Sequence, residues 1–239
     1  MLLTRAERQE VMGSTLFREV PPSIVERILS EQNTVVQSFK AEHLIFRGED
    51  PTPNLGYLLT GYAVVRQAPA TFRDEYKETY VNMVRPGGLF GVERCFIDRQ
   101  DMTYVETLSP ARVLRINGKL VRNYAKGEAP SLWRNLGECL ADISQESNEL
   151  LEVLQARGLN ESLLKLLQFF SRKYGNQIER GIDTKLTATT VADMLGCNTS
   201  TLSRISGALR DSGYITYFYA NGTLHFRLEP RALALAVRT

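Results

Sequence analysis

The sequence predicts an α+β protein built from three consecutive parts: a β-rich domain, one long helix, and a small helical domain closed by a β-hairpin. Three observations support this prediction. Short β-rich runs separated by turn residues occupy Val35–Ile116, at the spacing of roughly 8–12 residues that is typical of a sandwich or barrel. The stretch Pro130–Arg157 has apolar residues at helical spacing. Two short helical patterns and two β runs joined by Asn221-Gly222 then occupy Leu186–Phe226.

Composition excludes several classes of protein. With 43% hydrophobic and 23% charged residues among 239, the chain has the composition of an ordinary globular protein and not of a disordered or fibrous one. The three cysteines form no CxxC pair, which excludes a disulfide framework and favours a reducing compartment. The chain has no apolar run of about 18 residues and no apolar amino-terminal segment, so we expect no membrane span, no signal peptide and a cytoplasmic location.

Helices are predicted to precede the strands. Thr4 is a suitable N-cap for a first helix, and Pro21-Pro22 begins a second one. The predicted strands are VVQSF, HLIF, YLL, YAVVRQ, TYVNMV, TYVETL and RVLRI. After them, Asn117 is predicted to cap a short helix that ends near Tyr124.

The long helix carries a seven-residue repeat of apolar side chains. Leu136, Ile143 and Leu150 are spaced by seven, and Leu132 and Cys139 occupy the neighbouring position. A seam of this kind packs helix on helix and predicts a homodimer; the alternative is that the stripe packs on its own β domain. The predicted dimerisation residues are Leu132, Leu136, Cys139, Ile143, Leu150, Val153 and Leu154. Polar residues 144–148 interrupt the seam, which is unfavourable unless something hydrogen-bonds to them.

The carboxy-terminal segment predicts a winged helix-turn-helix. Gly158 ends the long helix, Asn160 is expected to cap the next helix, and Gly175 is expected to close it. A short helix capped by Thr187 or Thr189 follows, and then a tight turn at 196–198. The second helix is predicted from about Thr199 to Asp211, ended by Gly213, with an inward stripe formed by Leu202, Ile205, Ala208 and Leu209.

The free face of that second helix has the chemistry of a DNA-reading surface. Arg204 can pair with O6 and N7 of guanine through two hydrogen bonds, and short hydroxyl side chains can donate to or accept from a base or a phosphate. Residues 160–239 contain 10 Lys+Arg against 6 Asp+Glu, whereas residues 1–159 contain 19 against 21, so the positive charge lies in the same part of the chain. The predicted DNA-binding residues are Thr199, Ser200, Ser203, Arg204, Thr187 and Thr189. The alternative is a structural helix pair with a polar outer face.

In this order of parts the chain resembles the Crp–Fnr superfamily of bacterial transcription regulators. LTATTVADMLGCNTSTLSRISGALRDSGYI is similar to the DNA-binding motif of that family, and Ser203-Arg204 resembles the serine–arginine pair of its Fnr-like branch. HLIFRGEDP, GYLLTGYAVV and RPGGLFGVERCF resemble parts of its cyclic-nucleotide-binding-type domain. The resemblance implies a β-roll (a cupin-like jelly roll) as sensor in residues 1–129, a dimerisation helix in 130–157 and a winged helix-turn-helix in 158–239.

The resemblance also implies partners and an effector site. It implies a homodimer on a two-fold symmetric operator in double-stranded DNA, recruitment of RNA polymerase by activators, and a small-molecule effector between the β-roll and the long helix. The effector-pocket residues that it implies are Phe90, Gly91, Val92, Glu93, Arg94, Thr103, Ser147 and Asn148. Cyclic AMP is disfavoured, because Val92 replaces the ribose-binding glutamate of the family and Met102-Thr103 replaces its phosphate-binding Arg-Ser pair. Arg94 or Arg99 could substitute only at a different spacing.

The sequence leaves the cofactor unidentified. An iron–sulfur cluster is disfavoured because no cysteine precedes Cys95. A haem ligated by His43 has little support, since a lone histidine is usually structural, and no metal-ligand spacing is present. Cys95 and Cys139 are expected to be core residues and not thiol sensors. No catalytic set or nucleotide-binding loop is recognisable, so we expect no enzyme.

The function predicted from the sequence is therefore that of a dimeric, sequence-specific transcription regulator controlled by a small molecule or another signal. Two alternatives stay open. One is a signal-independent regulator with an empty pocket. The other is a sensor or interaction protein whose DNA-binding domain is degenerate, which the intact Ser203-Arg204 face argues against. The operator sequence and the choice between activation and repression are not specified by the sequence.

Overall fold

The fold divides into two compact units, residues 1–146 and residues 147–239. The computed structural model describes residues 2–47, 50, 54–67, 79–97, 103–174, 182–220 and 223–232. Within these ranges no helix combines the length and the apolar character that crossing a membrane requires.

Short helices begin the first unit, as the sequence predicts. They are α1 (Arg5–Met12), a 3-10 helix (Thr15–Phe17) and α2 (Pro22–Ser30). The hydroxyl of Thr4 accepts a hydrogen bond from the Glu7 backbone N–H, and the Glu7 carboxylate accepts one from the Thr4 N–H, which completes a capping box. The same carboxylate pairs with the guanidinium of Arg112 at 2.8 Å. Glu7 therefore joins α1 to the strand that contains Arg112.

Two four-stranded antiparallel sheets form the β-roll of this unit. The strands are β1 (Val35–Phe39), β2 (Leu44–Arg47), β3 (Asn54–Thr60), β4 (Ala63–Gln67), β5 (Thr79–Val84), β6 (Leu89–Phe90), β7 (Thr103–Thr107) and β8 (Ala111–Asn117). One sheet has the order β1-β8-β3-β6 and the other β2-β7-β4-β5. The sequence predicts all of these strands except β6, which has only two residues. Parts of the loops around the predicted Gly48 turn lie outside the described residues.

The sheet that contains β3 and β8 is buried on both faces. Leu58 and Val113 belong to a cluster that also contains residues of β2, β4, β5 and β7, so this cluster fills the space between the two sheets. Leu55, Leu114 and Ile116 belong to a second cluster, formed with the helices. Because successive residues of a strand point to opposite faces, one strand contributes to both clusters.

The first part of the long helix packs into that second cluster. Asn117 caps α3 (Gly118–Lys126), as predicted, and α4 (Ser131–Leu154) follows. Leu132 and Leu136 are fully buried and Cys139 is 6% exposed; all three belong to the cluster that also contains residues of α1, α2 and the sheet, and half-buried Ile143 packs against this cluster. Leu132, Leu136 and Cys139 are therefore covered within the protomer, and their place in a dimer seam stays a prediction. The apolar stripe packs on its own domain, which is the alternative reading of the same spacing.

The polar break in the seam follows from the same packing. Gly137, Ala141, Ser144 and Gln145 are exposed, and the side of α4 that carries Gly137, Ala141 and Ser144 lies opposite to the buried stripe. The exposed hydroxyl of Ser144 can hydrogen-bond to water. In the second unit, Leu150 and Val153 are also buried, Leu154 is half-buried, and Leu151 is exposed.

Helices and a small antiparallel sheet complete the second unit. The elements are α5 (Leu159–Tyr174), β9 (Ile182–Leu186), α6 (Ala188–Met194), α7 (Thr199–Asp211), β10 (Ile215–Ala220) and β11 (Thr223–Leu228), with the sheet order β10-β11-β9. Strand β9 was not predicted, and Asn160 lies inside α5 instead of capping it. Gly175 and Asn221-Gly222 lie outside the described residues, but Ala220 pairs with Thr223, as a two-residue hairpin requires.

Candidate functional site

Helices α6 and α7 are joined by a turn that requires glycine. Gly196 has a φ of +64°, and its N–H donates to the carbonyl of Asp193 at 3.0 Å, while the Cys197 N–H donates to the carbonyl of Ala192 at 2.9 Å. This is the Schellman arrangement, in which the residue after the helix adopts the left-handed conformation that side chains disfavour. The turn fixes the residue at which α7 can begin.

Asn198 caps α7 and also contacts one of the predicted DNA-binding residues. Its Oδ1 accepts the Thr201 N–H at 2.8 Å and the Ser200 hydroxyl at 2.7 Å. The hydroxyl hydrogen of Ser200 is thus committed within the chain, and its oxygen remains able to accept a hydrogen bond. The predicted start of α7 at Thr199 is confirmed.

The face of α7 that the sequence assigns to DNA is free of the protein interior. Thr199, Ser200, Ser203 and Arg204 are all exposed. Leu202, Ile205 and Leu209 are buried as predicted. The prediction for Ala208 was wrong, because Ala208 is exposed and Ser206, at 2% exposure, occupies the inward position. Positions 202, 205, 206 and 209 have the regular spacing of the inward face of a helix. The sequence pattern did not reveal this face completely, because Ser206 is polar and the prediction relied on apolar residues.

Arg204 is not engaged by the rest of the protein. Among the described residues its guanidinium makes no hydrogen bond and no ion pair. By contrast, Arg210 on the same helix pairs with Asp211 at 3.0 Å and lies 5.7 Å from the ring centre of Tyr217. Arg204 is therefore available to an external partner, whereas Arg210 already has neighbours that hold it.

The two predicted phosphate-contacting threonines differ in their local roles. Thr187 is the N-cap of α6, and its hydroxyl accepts the Thr190 N–H at 3.1 Å. Thr189 is exposed in the first turn of α6 and is not the cap. Both side chains are at the surface, so both can meet a phosphate, but Thr187 also stabilises its helix.

The hairpin after α7 exposes an aromatic pair that the sequence analysis did not single out. Phe218 and His225 are directly opposite each other in the ladder, and their rings stack with centres 4.9 Å apart and planes 6° from parallel. Phe218 is 61% exposed, whereas Phe226, on the opposite face, is buried. Strict alternation around Phe226 would have indicated which ring faces solvent.

A cavity of about 180 Å³ lies inside the first unit and is lined by part of the predicted effector pocket. Phe90, Gly91, Glu93 and Thr103 line this cavity, together with Ile143 of α4. Gly91 has a φ of +71°, and a Cβ there would lie 2.7 Å from the carbonyl oxygen of Asn54. The glycine thus permits the sharp change of direction from β6 into the 3-10 helix that follows.

Other predicted pocket residues lie elsewhere. Val92 is fully buried in the cluster formed with the helices. Arg94 is 3% exposed and donates to the backbone carbonyl of Asp50 at 2.6 Å, and it does not line this cavity. Half-buried Ser147 and exposed Asn148 belong to the second unit. Arg99 and Met102 lie outside the described residues.

The cysteines and His43 have the environments of structural residues. Burial raises the pKa of Cys95 to about 12 and that of Cys139 to about 11, so both thiols are protonated at neutral pH. Desolvation also raises the pKa of half-buried Cys197. His43 is exposed and its ring packs against Phe39. In the described part of the chain, no three His, Cys, Asp or Glu residues form a group able to hold a metal ion.

Comparison with known proteins identifies regulators with the same order of elements. No family model matches the chain. A global nitrogen regulator of Synechocystis sp. is 25% identical over 220 residues, which are 90% of this chain and 96% of that protein. A global nitrogen regulator of Nostoc sp. is 25% identical over 195 residues, covering 80% and 85%.

Solved structures give the same result for the fold. The c-di-GMP-responsive global regulator CLP of Xanthomonas campestris superimposes with a TM-score of 0.68 at 16% identity, covering 87% of this chain and 99% of the other. FixK2 of Bradyrhizobium japonicum has a TM-score of 0.68 at 16% identity, covering 84% and 96%. A CRP/FNR-family transcriptional regulator of Thermus thermophilus has a TM-score of 0.64 at 22% identity, covering 86% and 99%.

Proposed function

We propose that this chain, a DNA-binding transcription regulator with the Crp–Fnr fold, binds a two-fold symmetric operator as a homodimer and responds to a signal received by its β-roll. The curated relatives are regulators and not enzymes, and this chain is likewise not an enzyme. The observation that carries the proposal is the exposed face of α7, where Arg204 has no partner among the described residues.

Base reading is assigned to the amino-terminal half of α7. Helices of this kind enter the major groove with their first two turns against the base edges. Arg204 reaches guanine through a bidentate pair, and the exposed hydroxyls of Thr199 and Ser203 contact bases or phosphates. Ser200 acts as an acceptor, because its hydrogen is donated to Asn198. Thr189 contacts the phosphate backbone beside it and fixes the register.

The dimer is proposed to form through the exposed side of α4 and not through its buried stripe. Gly137, Ala141 and Ser144 are small and exposed, which allows two helix backbones to approach closely. A Cβ added at Gly137 would have nothing within 4 Å in the protomer, so this position is open to a partner. The buried residues predicted for the seam support the interface indirectly, because they fix the orientation of α4.

Two further partners, RNA polymerase and a small-molecule effector, are proposed from the role of a transcription regulator. An activating regulator must contact RNA polymerase, and we propose that enzyme as a further partner. The protein and its operator must share a compartment, which we take to be the cytoplasm. A small-molecule effector in the first unit would then alter DNA affinity by stabilising one of two conformations.

Selection of bound sequences from a random double-stranded DNA library tests this function. The wild-type protein is expected to select an inverted repeat with a guanine at one position in each half-site. Arg204→Ala is expected to lose the preference at that position and about 1–3 kcal/mol per half-site, with little change in the salt dependence of binding. Arg210→Ala is the matched control on the same helix. Recovery of no enriched sequence with wild-type protein, or an unchanged preference with Arg204→Ala, would refute the proposal.

A further inference from the structure

The residue that caps α7 makes two hydrogen bonds through one side-chain atom. Asn198 Oδ1 accepts the backbone N–H of Thr201 at 2.8 Å and the hydroxyl of Ser200 at 2.7 Å. The first contact identifies the atom, because a backbone N–H can only donate and its partner on the amide of Asn198 must therefore be the oxygen and not the nitrogen. Since the Ser200 hydroxyl faces the same oxygen, it is a donor as well.

This donation leaves Ser200 with one kind of hydrogen-bonding capacity towards an external partner. A serine hydroxyl has one hydrogen to donate and two lone pairs that accept. The hydrogen of Ser200 is directed at Asn198, so only the lone pairs remain available. Donation also polarises the hydroxyl, and successive hydrogen bonds in such a chain strengthen one another. Exposed Ser200 is therefore presented on the surface of α7 as an acceptor.

The neighbouring hydroxyls on the same exposed face are not restricted in this way. Thr199 and Ser203 are exposed, and within the part of the chain that the structure describes neither hydroxyl has a hydrogen-bond partner. Each can rotate and serve either a donor or an acceptor on DNA. The contact with Asn198 therefore distinguishes Ser200 from two side chains of the same chemistry.

A hydroxyl that can only accept is unsuited to a phosphate and discriminates between bases. Phosphate oxygens also accept, so a hydroxyl whose hydrogen is already donated gains no hydrogen bond from the DNA backbone. In the major groove, adenine and cytosine present amino groups that donate, whereas guanine and thymine present carbonyl oxygens that accept. An accepting hydroxyl therefore favours adenine or cytosine, called the amino bases here, over guanine or thymine, called the keto bases.

We propose that Asn198 is a positioning residue that directs the hydroxyl of Ser200, so that Ser200 selects an amino base in each operator half-site. This inference rests on the proposed function, because it requires α7 to lie in the major groove. Ser200 and Arg204 are four residues apart, on the same side of α7 and about 6 Å apart along its axis. Two nearby bases are then read with opposite polarity: Arg204 donates to a guanine, and Ser200 accepts from an adenine or a cytosine.

Selection from a random double-stranded DNA library with the full-length protein tests the base class. The wild type is expected to enrich amino bases over keto bases by about fivefold or more at one position of each half-site. Ser200→Ala is expected to abolish this discrimination, which identifies the position, and to retain the guanine preference that depends on Arg204. Ser212→Ala is the matched control at the other end of α7, where the hydroxyl donates to the carbonyl of Ala208 at 2.9 Å.

Two substitutions of Asn198 separate positioning from capping. The backbone of Asn198 is extended, with φ −89° and ψ 165°, and both glycine and aspartate are good cap residues. Asn198→Gly removes the oxygen that holds the Ser200 hydroxyl, so the discrimination at the mapped position is expected to fall to about twofold or less. Asn198→Asp keeps an acceptor for both Ser200 and Thr201 and is expected to preserve the discrimination, while its negative charge weakens binding to all sequences alike. Thermal unfolding of both variants checks that α7 is folded.

The outcomes separate this inference from the function on which it rests. A wild-type protein that selects an inverted repeat with the Arg204-dependent guanine, but for which Ser200→Ala changes no position, overturns the inference and leaves the proposed function intact. A keto base at the mapped position, or discrimination that survives in folded Asn198→Gly, has the same consequence. Loss of discrimination in Asn198→Asp as well as in Asn198→Gly would also overturn the positioning role, since the acceptor is retained in the former. If the wild type enriches no sequence, both proposals are refuted.

Discussion

Leu136 and Gly137 are neighbours on α4 with opposite environments, and this contrast yields a sharp prediction. Leu136 is fully buried in the core of its own unit, so Leu136→Ala removes packing inside one protomer. Large-to-small substitutions at such positions cost about 2–5 kcal/mol, depending on how far the cavity collapses. We expect a loss in that range in urea denaturation, with the midpoint lowered and the folded protein still dimeric.

Gly137→Leu is expected to do the reverse. A Cβ at position 137 has nothing within 4 Å in the protomer, and leucine is a better helix former than glycine by up to about 1 kcal/mol. The folded protomer of the variant should therefore be as stable as that of the wild type, or slightly more stable. On the proposed interface the bulky side chain separates the two helices. Sedimentation should then show dissociation of the dimer at concentrations at which the wild type stays dimeric.

The pair of results decides between the two assignments of α4. If Leu136→Ala dissociates the dimer without lowering the unfolding free energy of the protomer, the buried stripe is an interface after all. If Gly137→Leu leaves the sedimentation coefficient unchanged, the exposed side is not the interface. Equilibrium unfolding of Gly137→Leu at low concentration controls for a folding defect.

Three further outcomes follow from individual side chains. Hydrogen bonding to Arg112 lowers the pKa of Glu7 from 4.5 to about 2, so the stabilisation of the fold by this ion pair is present above about pH 4.5 and is lost as the pH falls towards 2. Glu7→Gln should therefore be less stable than the wild type at pH 7 by of order 1 kcal/mol after solvent screening. In acid titrations of unfolding, the difference between the two proteins should vanish by pH 2. Ser206→Ala should keep or raise the melting temperature, because the buried Oγ has no hydrogen-bond partner; a clear loss by calorimetry would mean that the hydroxyl is satisfied. Half-buried Cys197 should react with iodoacetamide before the buried Cys139, as peptide mass spectrometry of timed samples can show; equal rates would contradict the burial.

Most of the local structure of the second unit could be predicted from the sequence. The predicted turn at 196–198 is a local signal, because its residues satisfy backbone groups within a few positions, and it placed the start of α7 correctly. Ser206 was left out of the predicted inward stripe because its side chain is polar, although it is buried in the structure. Strand β9 was missed because its pairing with β11 is a long-range contact that no local pattern reports.

In the first unit, the sequence reported only part of the set of residues that line the cavity. Residues 90, 91, 93 and 103 line one cavity, because the sheets bring these short segments together, and their role in binding an effector stays a prediction. Glu93 lines the cavity and its neighbour Arg94 does not, because successive residues of a 3-10 helix face different directions, and the sequence does not report which of them faces the cavity. Asn82 is buried and lines this cavity, and the sequence carried no signal for it beyond an asparagine within a strand.

The sequence by itself determined the order of parts, most of the strands and helices, and which side chains of the first turns of α7 are exposed, since these depend on periodicity, caps and turn residues that act over a few positions. Only the tertiary structure decided which side of α4 is buried. The same seven-residue spacing serves a dimer seam or an internal core, and the difference lies in whether α1, α2 and the sheet already cover the apolar stripe, as they do here.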